Sequence, residues 1–168
     1  MKLDIKALSG LAIIAGALAF FFLAPDDGLQ AAPQPLMTTI DGQQIDPGTL
    51  KGKPYMVVFW ATDCPGCVKE IPHLNELYSE FSTAGFEVIA IAMPHDQIEH
   101  IQTMRQQKGM NYKIIFDKNG ELAETYGGIK LTPTNLLISP DGKIALRKMG
   151  NFDIAHLRQT IANMLKGG

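Results

Sequence analysis

The chain has 168 residues, 46% of them hydrophobic, and a formal net charge of -2. That is room for one packed domain of ordinary size with an N-terminal extension, and acids and bases are interspersed, so no basic stripe offers itself to a phosphate backbone and nucleic-acid binding is excluded. The only two cysteines, Cys64 and Cys67, stand too close together to staple a long loop, which leaves their thiols for chemistry or for metal.

Lys2 and Lys6 precede a run from Ala7 to Ala24 that carries no charge, and Pro25-Asp26-Asp27 stops it. The run comes close to the ~20 apolar residues of a bilayer-spanning helix, and lysines before it with aspartates after it favour an N-in orientation. A cleaved signal peptide would want small residues just past the run. The one neat A-x-A pattern, Ala17-Leu18-Ala19, lies inside it, ahead of Phe20-Phe21-Phe22-Leu23. The expectation is an uncleaved anchor over residues 7–24 behind a cytoplasmic stub of residues 1–6, and either reading exports the rest. Residues 25–36, with Pro33 and Pro35 among alanines and glutamines, read as a linker to a folded domain of residues 37–168.

Within that domain, Thr38-Thr39-Ile40, Asp41-Gly42 and Gln43-Gln44-Ile45 spell a small hairpin, and Asp46 to Leu50 a turn. Tyr55 to Trp60 is a continuous apolar run, the pattern of a strand buried on both faces. From Cys64 the period becomes helical: Cys67, Ile71, Leu74, Tyr78 and Phe81 mark one stripe, with Gly85 as its end. Phe86 to Met93 is a second buried strand. Gln97 to Lys108 reads as a polar helix stopped by Gly109, with Ile98, Ile101, Met104 and Arg105 near one face. Lys113 to Phe116 is a short strand, and Gly120 to Tyr126 a short helix. Asn135 to Ser139 and Lys143 to Arg147 are strands joined at Pro140-Asp141-Gly142. Asp153 to Lys166 is an amphipathic helix on Ile154, Leu157, Ile161 and Leu165, with Asp153 as N-cap. Strands and helices alternating before a final hairpin and helix give an α/β sandwich, a mixed central sheet covered on both faces.

Because the Cys64-Pro65-Gly66-Cys67 motif follows a buried strand and opens a helix, Cys64 is expected at a helix N-terminus, where unpaired N–H groups and the helix dipole favour a thiolate. Cys67, one turn on and on the apolar stripe, is expected to be sheltered. The first sulfur attacks and the second resolves. A structural zinc site would need two further ligands at regular spacing, and His73, His95, His100 and His156 are scattered singly, so no metal is expected.

The segment Phe59-Trp60-Ala61-Thr62-Asp63-Cys64-Pro65-Gly66-Cys67-Val68-Lys69-Glu70-Ile71-Pro72 resembles the active-site segment of the TlpA/ResA branch of thioredoxin-like proteins, over roughly Leu36 to the C-terminus. The resemblance implies a thioredoxin-like fold with an N-terminal hairpin and a helix-strand insertion matching Met93 to Phe116. It implies a thiol:disulfide oxidoreductase anchored in the bacterial inner membrane, single-pass, with its domain on the periplasmic side. Such a protein reduces partner disulfides for cytochrome c maturation or a copper centre, draws on a DsbD-like membrane donor, uses no cofactor beyond its own dithiol, and acts as a monomer. Pro133, in Thr132-Pro133-Thr134, aligns with the family's cis-proline, which faces the dithiol and helps dock the partner chain as an added strand. Thr132, Trp60, Pro65 and Gly66 are carried over with it as partner-binding residues.

Glu70 falls where this branch carries an active-site glutamate. It reads either as the carboxylate that takes the Cys67 proton or as a solvated helix residue. Val58 stands where thioredoxin itself carries a buried aspartate, and Pro72 is expected to bend the helix without ending it. Asp63 departs from the tryptophan of many relatives. It can cap the helix, and it also brings negative charge toward Cys64. Met93-Pro94-His95 and His100 beside two sulfurs give the alternative of a copper-binding chaperone. A third reading, peroxide reduction, wants a proline in the cradle that Thr62-Asp63-Cys64 lacks.

Overall fold

A computed structural model describes residues 29–167. The stub, the apolar run and the first part of the linker stretch lie outside the described residues. Among those described, no helix is long and apolar enough to cross a membrane.

Among the described residues the first strands form a two-stranded hairpin, β1 (Met37–Thr38) against β2 (Gln44–Ile45), turned at Gly42 with φ 82°. A 3-10 turn, Pro47–Leu50, leads to β3 (Tyr55–Trp60), and then to α1 (Pro65–Phe81), β4 (Glu87–Ala92), α2 (Ile98–Lys108) and β5 (Lys113–Phe116). A single-turn helix α3 (Glu121–Thr125), the hairpin β6 (Thr134–Ile138) and β7 (Ile144–Met149), and the closing helix α4 (Ile154–Lys166) complete it.

Strands run in the order β5-β4-β3-β6-β7. β3, β4 and β5 are parallel; β6 is antiparallel to β3, and β7 to β6. This is the mixed sheet that the sequence pattern implies. β3 lies at the centre, and every one of its residues is buried, as a run with no polar alternation requires. Its pleat sends Met56, Val58 and Trp60 to one face, where they pack with Ile71, Leu74 and Leu77 of α1, Ile101 of α2, and Leu157 and Ile161 of α4. Tyr55, Val57 and Phe59 face the other layer, built on the first hairpin (Met37, Ile45) and Ala123 with Tyr126 at the end of α3. Phe59 meets the Tyr126 ring edge-on, centroids 5.5 Å apart.

Two details depart from the sequence pattern. The buried stripe of α1 contains Glu70 and Leu77, whereas Tyr78 and Phe81 are half-buried. On α2 only Ile101 is fully buried, so that helix lies against the core by a narrow edge. α1 continues through Pro72. It gives way to a 3-10 turn (Ser82–Ala84) closed by Gly85, whose φ of 97° few other residues would adopt. The described end of the linker stretch lies against the sheet: Ala32 N–H donates to the Gly142 carbonyl at 2.9 Å, and Ile144 N–H to that of Gln30 at 2.8 Å.

Candidate active site

The apolar run of β3 ends at Trp60, and a tight turn carries the chain straight into α1. Cys64 is the N-cap residue of that helix, its backbone extended (φ −98°, ψ 105°), with Pro65 in the first turn where a missing N–H costs nothing. Its Sγ accepts the backbone N–H of Cys67 at 3.1 Å. A sulfur thus fills the capping role that Ser or Asp usually takes. Cys64 and Cys67 form a disulfide, their Cα atoms 5.2 Å apart. Cys64 is half-buried, while Cys67 is 3% exposed. One sulfur can be reached by a partner, and the other only by the first.

The corner is bolted from outside. Asp96, in the loop after β4, accepts Thr62 N–H at 2.7 Å and Thr62 Oγ1–H at 2.8 Å, and also the Gln97 N–H at 2.8 Å. Nothing in the local sequence signals this link, since the two residues are 34 positions apart and an aspartate before a helix reads as a local cap. Asp63 does not cap α1, because Cys64 holds that position. Its exposed carboxylate instead faces His95 Nε2 at 3.5 Å. That pairing turns His95 toward Asp63, and among the described residues no group of three or more His, Cys, Asp or Glu side chains is arranged to hold a metal ion.

Glu70 lies one turn beyond Cys67 on the buried face of α1 and is only 2% exposed. The solvated reading of this residue is therefore corrected. Its Oε1 accepts Phe152 N–H at 3.0 Å, and both oxygens accept Asn135 Nδ2–H, at 3.3 and 3.1 Å. Asn135 sits on β6 directly opposite Val58 of β3, so the helix supplies the carboxylate that the strand lacks. Burial pushes the Glu70 carboxyl above its ordinary value, against the lowering by Asn135, Phe152 and Asn151 and by the charge of His73.

The Thr132–Pro133 peptide is cis, and Pro133 is buried beside the dithiol turn. A Cβ built on Gly66 would lie 3.3 Å from Pro133 Cδ and 3.5 Å from Asn151 Oδ1. Asn151 Nδ2 donates to the Gly66 carbonyl at 2.9 Å, clasping the turn from the β7–α4 loop. Asn135, Asn151 and Asp96 are site residues that sequence reasoning missed, each in an unremarkable polar context. Pro65 is exposed and Gly66 and Thr132 half-buried, so all three lie at the surface around Cys64. Trp60 does not: at 2% exposure it points beneath the dithiol into the α1 face of the core. Its assignment to partner binding is corrected, because the β3 pleat sends it inward.

Comparison with known proteins agrees with this geometry. The profile of the AhpC/TSA family matches residues 29–147. Thiol-disulfide oxidoreductase ResA of Bacillus cereus is 33% identical over 141 residues, covering 80% of each chain. That of Bacillus subtilis is 27% identical over 137 residues, covering 82% of this chain and 75% of its own. Among solved structures, a thiol:disulfide interchange protein of Chlorobium tepidum superposes with a TM-score of 0.76 at 27% identity, over 84% of this chain and 99% of its own. StoA of Bacillus subtilis does so with a TM-score of 0.65 at 26% identity, over 77% and 97%. The chain belongs to the AhpC/TSA family of thioredoxin-like proteins and is a thiol-disulfide oxidoreductase of the ResA type.

Proposed function

We propose that this oxidoreductase works as a reductant of protein disulfides outside the cytoplasm, with Cys64 as nucleophile, Cys67 as resolving thiol and Glu70 as the group that takes the Cys67 proton. The observation that carries this reading is the asymmetry of the pair, one sulfur reachable at a helix N-terminus and the other buried against a carboxylate-bearing wall. In the reduced protein, the Cys64 thiolate attacks one sulfur of a partner disulfide. The partner's S–S bond breaks, and its other sulfur leaves as a thiolate that protonates from solvent. Cys67 then gives up its proton and attacks the Cys64 sulfur. The mixed disulfide breaks, the second partner sulfur leaves with the electron pair, and the Cys64–Cys67 disulfide forms. Two electrons pass to the partner, and Pro133, Thr132, Pro65 and Gly66 form the rim against which the partner chain docks.

The apolar run of residues 7–24 supports a single-pass anchor in the inner membrane with the domain on the periplasmic side. In that setting a DsbD-like membrane protein would re-reduce the pair, and cytochrome c maturation or copper-centre assembly would consume the electrons. The test is a pair of variants. Cys64→Ser should lose all disulfide-reducing activity, while Cys67→Ser should accumulate mixed disulfides through Cys64. Trapping through Cys67 in the Cys64→Ser protein would overturn the assignment of roles. A reduction potential well below about −200 mV supports a reductant, since an envelope oxidant lies near −120 mV.

A further inference from the structure

The end of the linker stretch is built into the sheet. Ala31 pairs antiparallel with Lys143, and the flanking bonds join Ala32 N–H to the Gly142 carbonyl and Ile144 N–H to the Gln30 carbonyl. Ala32 is 6% exposed and packs in the layer that faces Tyr55, Val57 and Phe59. Tyr126 Oη–H donates to the Pro33 carbonyl at 3.3 Å. Residues 30–32 thus make a short added strand on the outer edge of β7. That strand runs against β7, while β7 runs parallel to β3 toward the dithiol end of the sheet. Followed back from Ala32 to Leu29, the chain therefore heads along β7 toward Met149, whose partner on β6 is Thr134.

Ala24, the last residue of the apolar run, precedes Leu29 by only Pro25, Asp26, Asp27 and Gly28. At ~3.6 Å per residue, that connection reaches about 18 Å at most. A lipid headgroup layer roughly 5–8 Å deep takes up part of it. A tether this short is no spacer, and it brings the β7 edge to the bilayer surface. The composition of that edge suits the position. Among the described residues the exposed large hydrophobics are Leu29, Leu36, Leu131 and Met149, the last two at 65%, and all but Leu36 lie along this edge or at its dithiol end. Leu131 and Met149 share one cleft with Lys130 and Arg147, and no carboxylate lines it. Residues 127–150 hold four bases, Lys130, Lys143, Arg147 and Lys148, against Asp141 alone, a net +3 in a chain of −2. Asp26 and Asp27 offset part of this charge, which leaves the short tether and the apolar pair as the main contributions. Exposed apolar side chains rimmed by bases are what a phospholipid surface accepts.

We infer that the β7 edge rests on the phospholipid surface of the membrane that holds the apolar run, with Leu131 and Met149 entering the headgroup layer and Lys130, Arg147 and Lys148 meeting lipid phosphates. The inference rests on the anchor reading above and adds an orientation to it. Cys64 follows β3, two strands in from β7, which is roughly 10 Å. The dithiol therefore stays clear of the contact, open at the strand ends to a partner disulfide held near the same surface.

The test uses the full chain in vesicles of phosphatidylethanolamine and phosphatidylglycerol, doped with a lipid that carries a nitroxide on its headgroup and quenches tryptophan at close range. The protein's single tryptophan, Trp60, is buried at 2% exposure and supplies the background. Met149→Trp and Leu131→Trp should each be quenched at least twofold more than Gln107→Trp, an exposed position on α2, the helix that joins β4 to β5 at the opposite edge of the sheet. Each variant should reduce oxidised glutathione at the wild-type rate, which shows the dithiol intact. Protein that co-floats with the vesicles, yet shows no more quenching at 149 and 131 than at 107, overturns the inference and leaves the anchor standing. Protein that does not co-float overturns the anchor reading, and the inference falls with it.

Discussion

Replacing Glu70 by Gln separates the charge of this side chain from its shape. Gln keeps one oxygen to accept from Phe152 N–H and Asn135 Nδ2–H, the bonds now at 3.0 Å and 3.1–3.3 Å, but it cannot ionise. Burial raises the Glu70 carboxyl above its unfolded value of 4.5. A raised carboxyl means that the folded protein holds the proton more tightly than the unfolded chain does. The resulting stability is fully present below about pH 4.5, and it is lost as pH climbs through the folded value. The wild-type protein should therefore lose stability relative to Glu70→Gln over that window, at up to about 1.4 kcal/mol for each pH unit it spans, and the difference should be flat on either side. Below the window the two differ only in hydrogen bonding, by about 1 kcal/mol or less. Urea unfolding of the oxidised proteins from pH 4 to pH 8, analysed as two-state transitions, measures the difference directly. In the same variant, resolution of the mixed disulfide should slow by ~10²-fold or more, the usual worth of a positioned general base. A stability difference that stays flat across the whole range, or that favours wild type increasingly with pH, would refute the argument that burial governs this carboxyl.

Three further outcomes follow from the site and its support. Asp96→Ala orphans Thr62 N–H and Gln97 N–H at the corner before the dithiol, and should cost about 1–3 kcal/mol by thermal melting; Asp96→Asn should recover part of it. Leu77→Ala, at a fully buried position, should cost about 2–5 kcal/mol, whereas Thr83→Ala on the exposed turn after α1 should change stability by about 0.5 kcal/mol or less, both read by urea titration. Gly66→Ala adds a methyl 3.3 Å from Pro133 Cδ and 3.5 Å from Asn151 Oδ1; it should melt close to wild type yet show several-fold lower kcat/KM with a protein disulfide than with a small one, because the crowding falls where a partner chain docks.

The order of elements was legible because each long element carries a strong period. The unbroken apolar run of Tyr55 to Trp60 could only be a central strand, and the change of period at Cys64 placed the dithiol at a helix start. What was not legible depends on pairs distant in sequence. Glu70 and Asn135 are 65 positions apart, and neither shows in its own segment that it is buried. A glutamate on a helix reads as solvated until the opposing strand is known to offer an amide. Trp60 was misplaced for the opposite reason: its neighbour along the chain is the active site, yet the strand pleat turns it inward. Asp63 reads as a cap because aspartate is a good one, but the sulfur one residue later occupies the position.

That last substitution of roles decides which field governs Cys64. Asp63 brings a negative charge next to the attacking sulfur, but its side chain is 76% exposed and faces His95 Nε2 at 3.5 Å. In water-like surroundings such a charge acts weakly and is screened further by salt. On the other side stand the Cys67 N–H at 3.1 Å from the Cys64 sulfur and the positive end of a helix that runs from Pro65 to Phe81. A hydrogen bond to an ionised acceptor is roughly twice as strong as a neutral one, and the helix terminus adds about 0.3–1 kcal/mol more. The donor touches the sulfur, while the carboxylate reaches it through solvent. At that sulfur the helix terminus therefore outweighs the carboxylate.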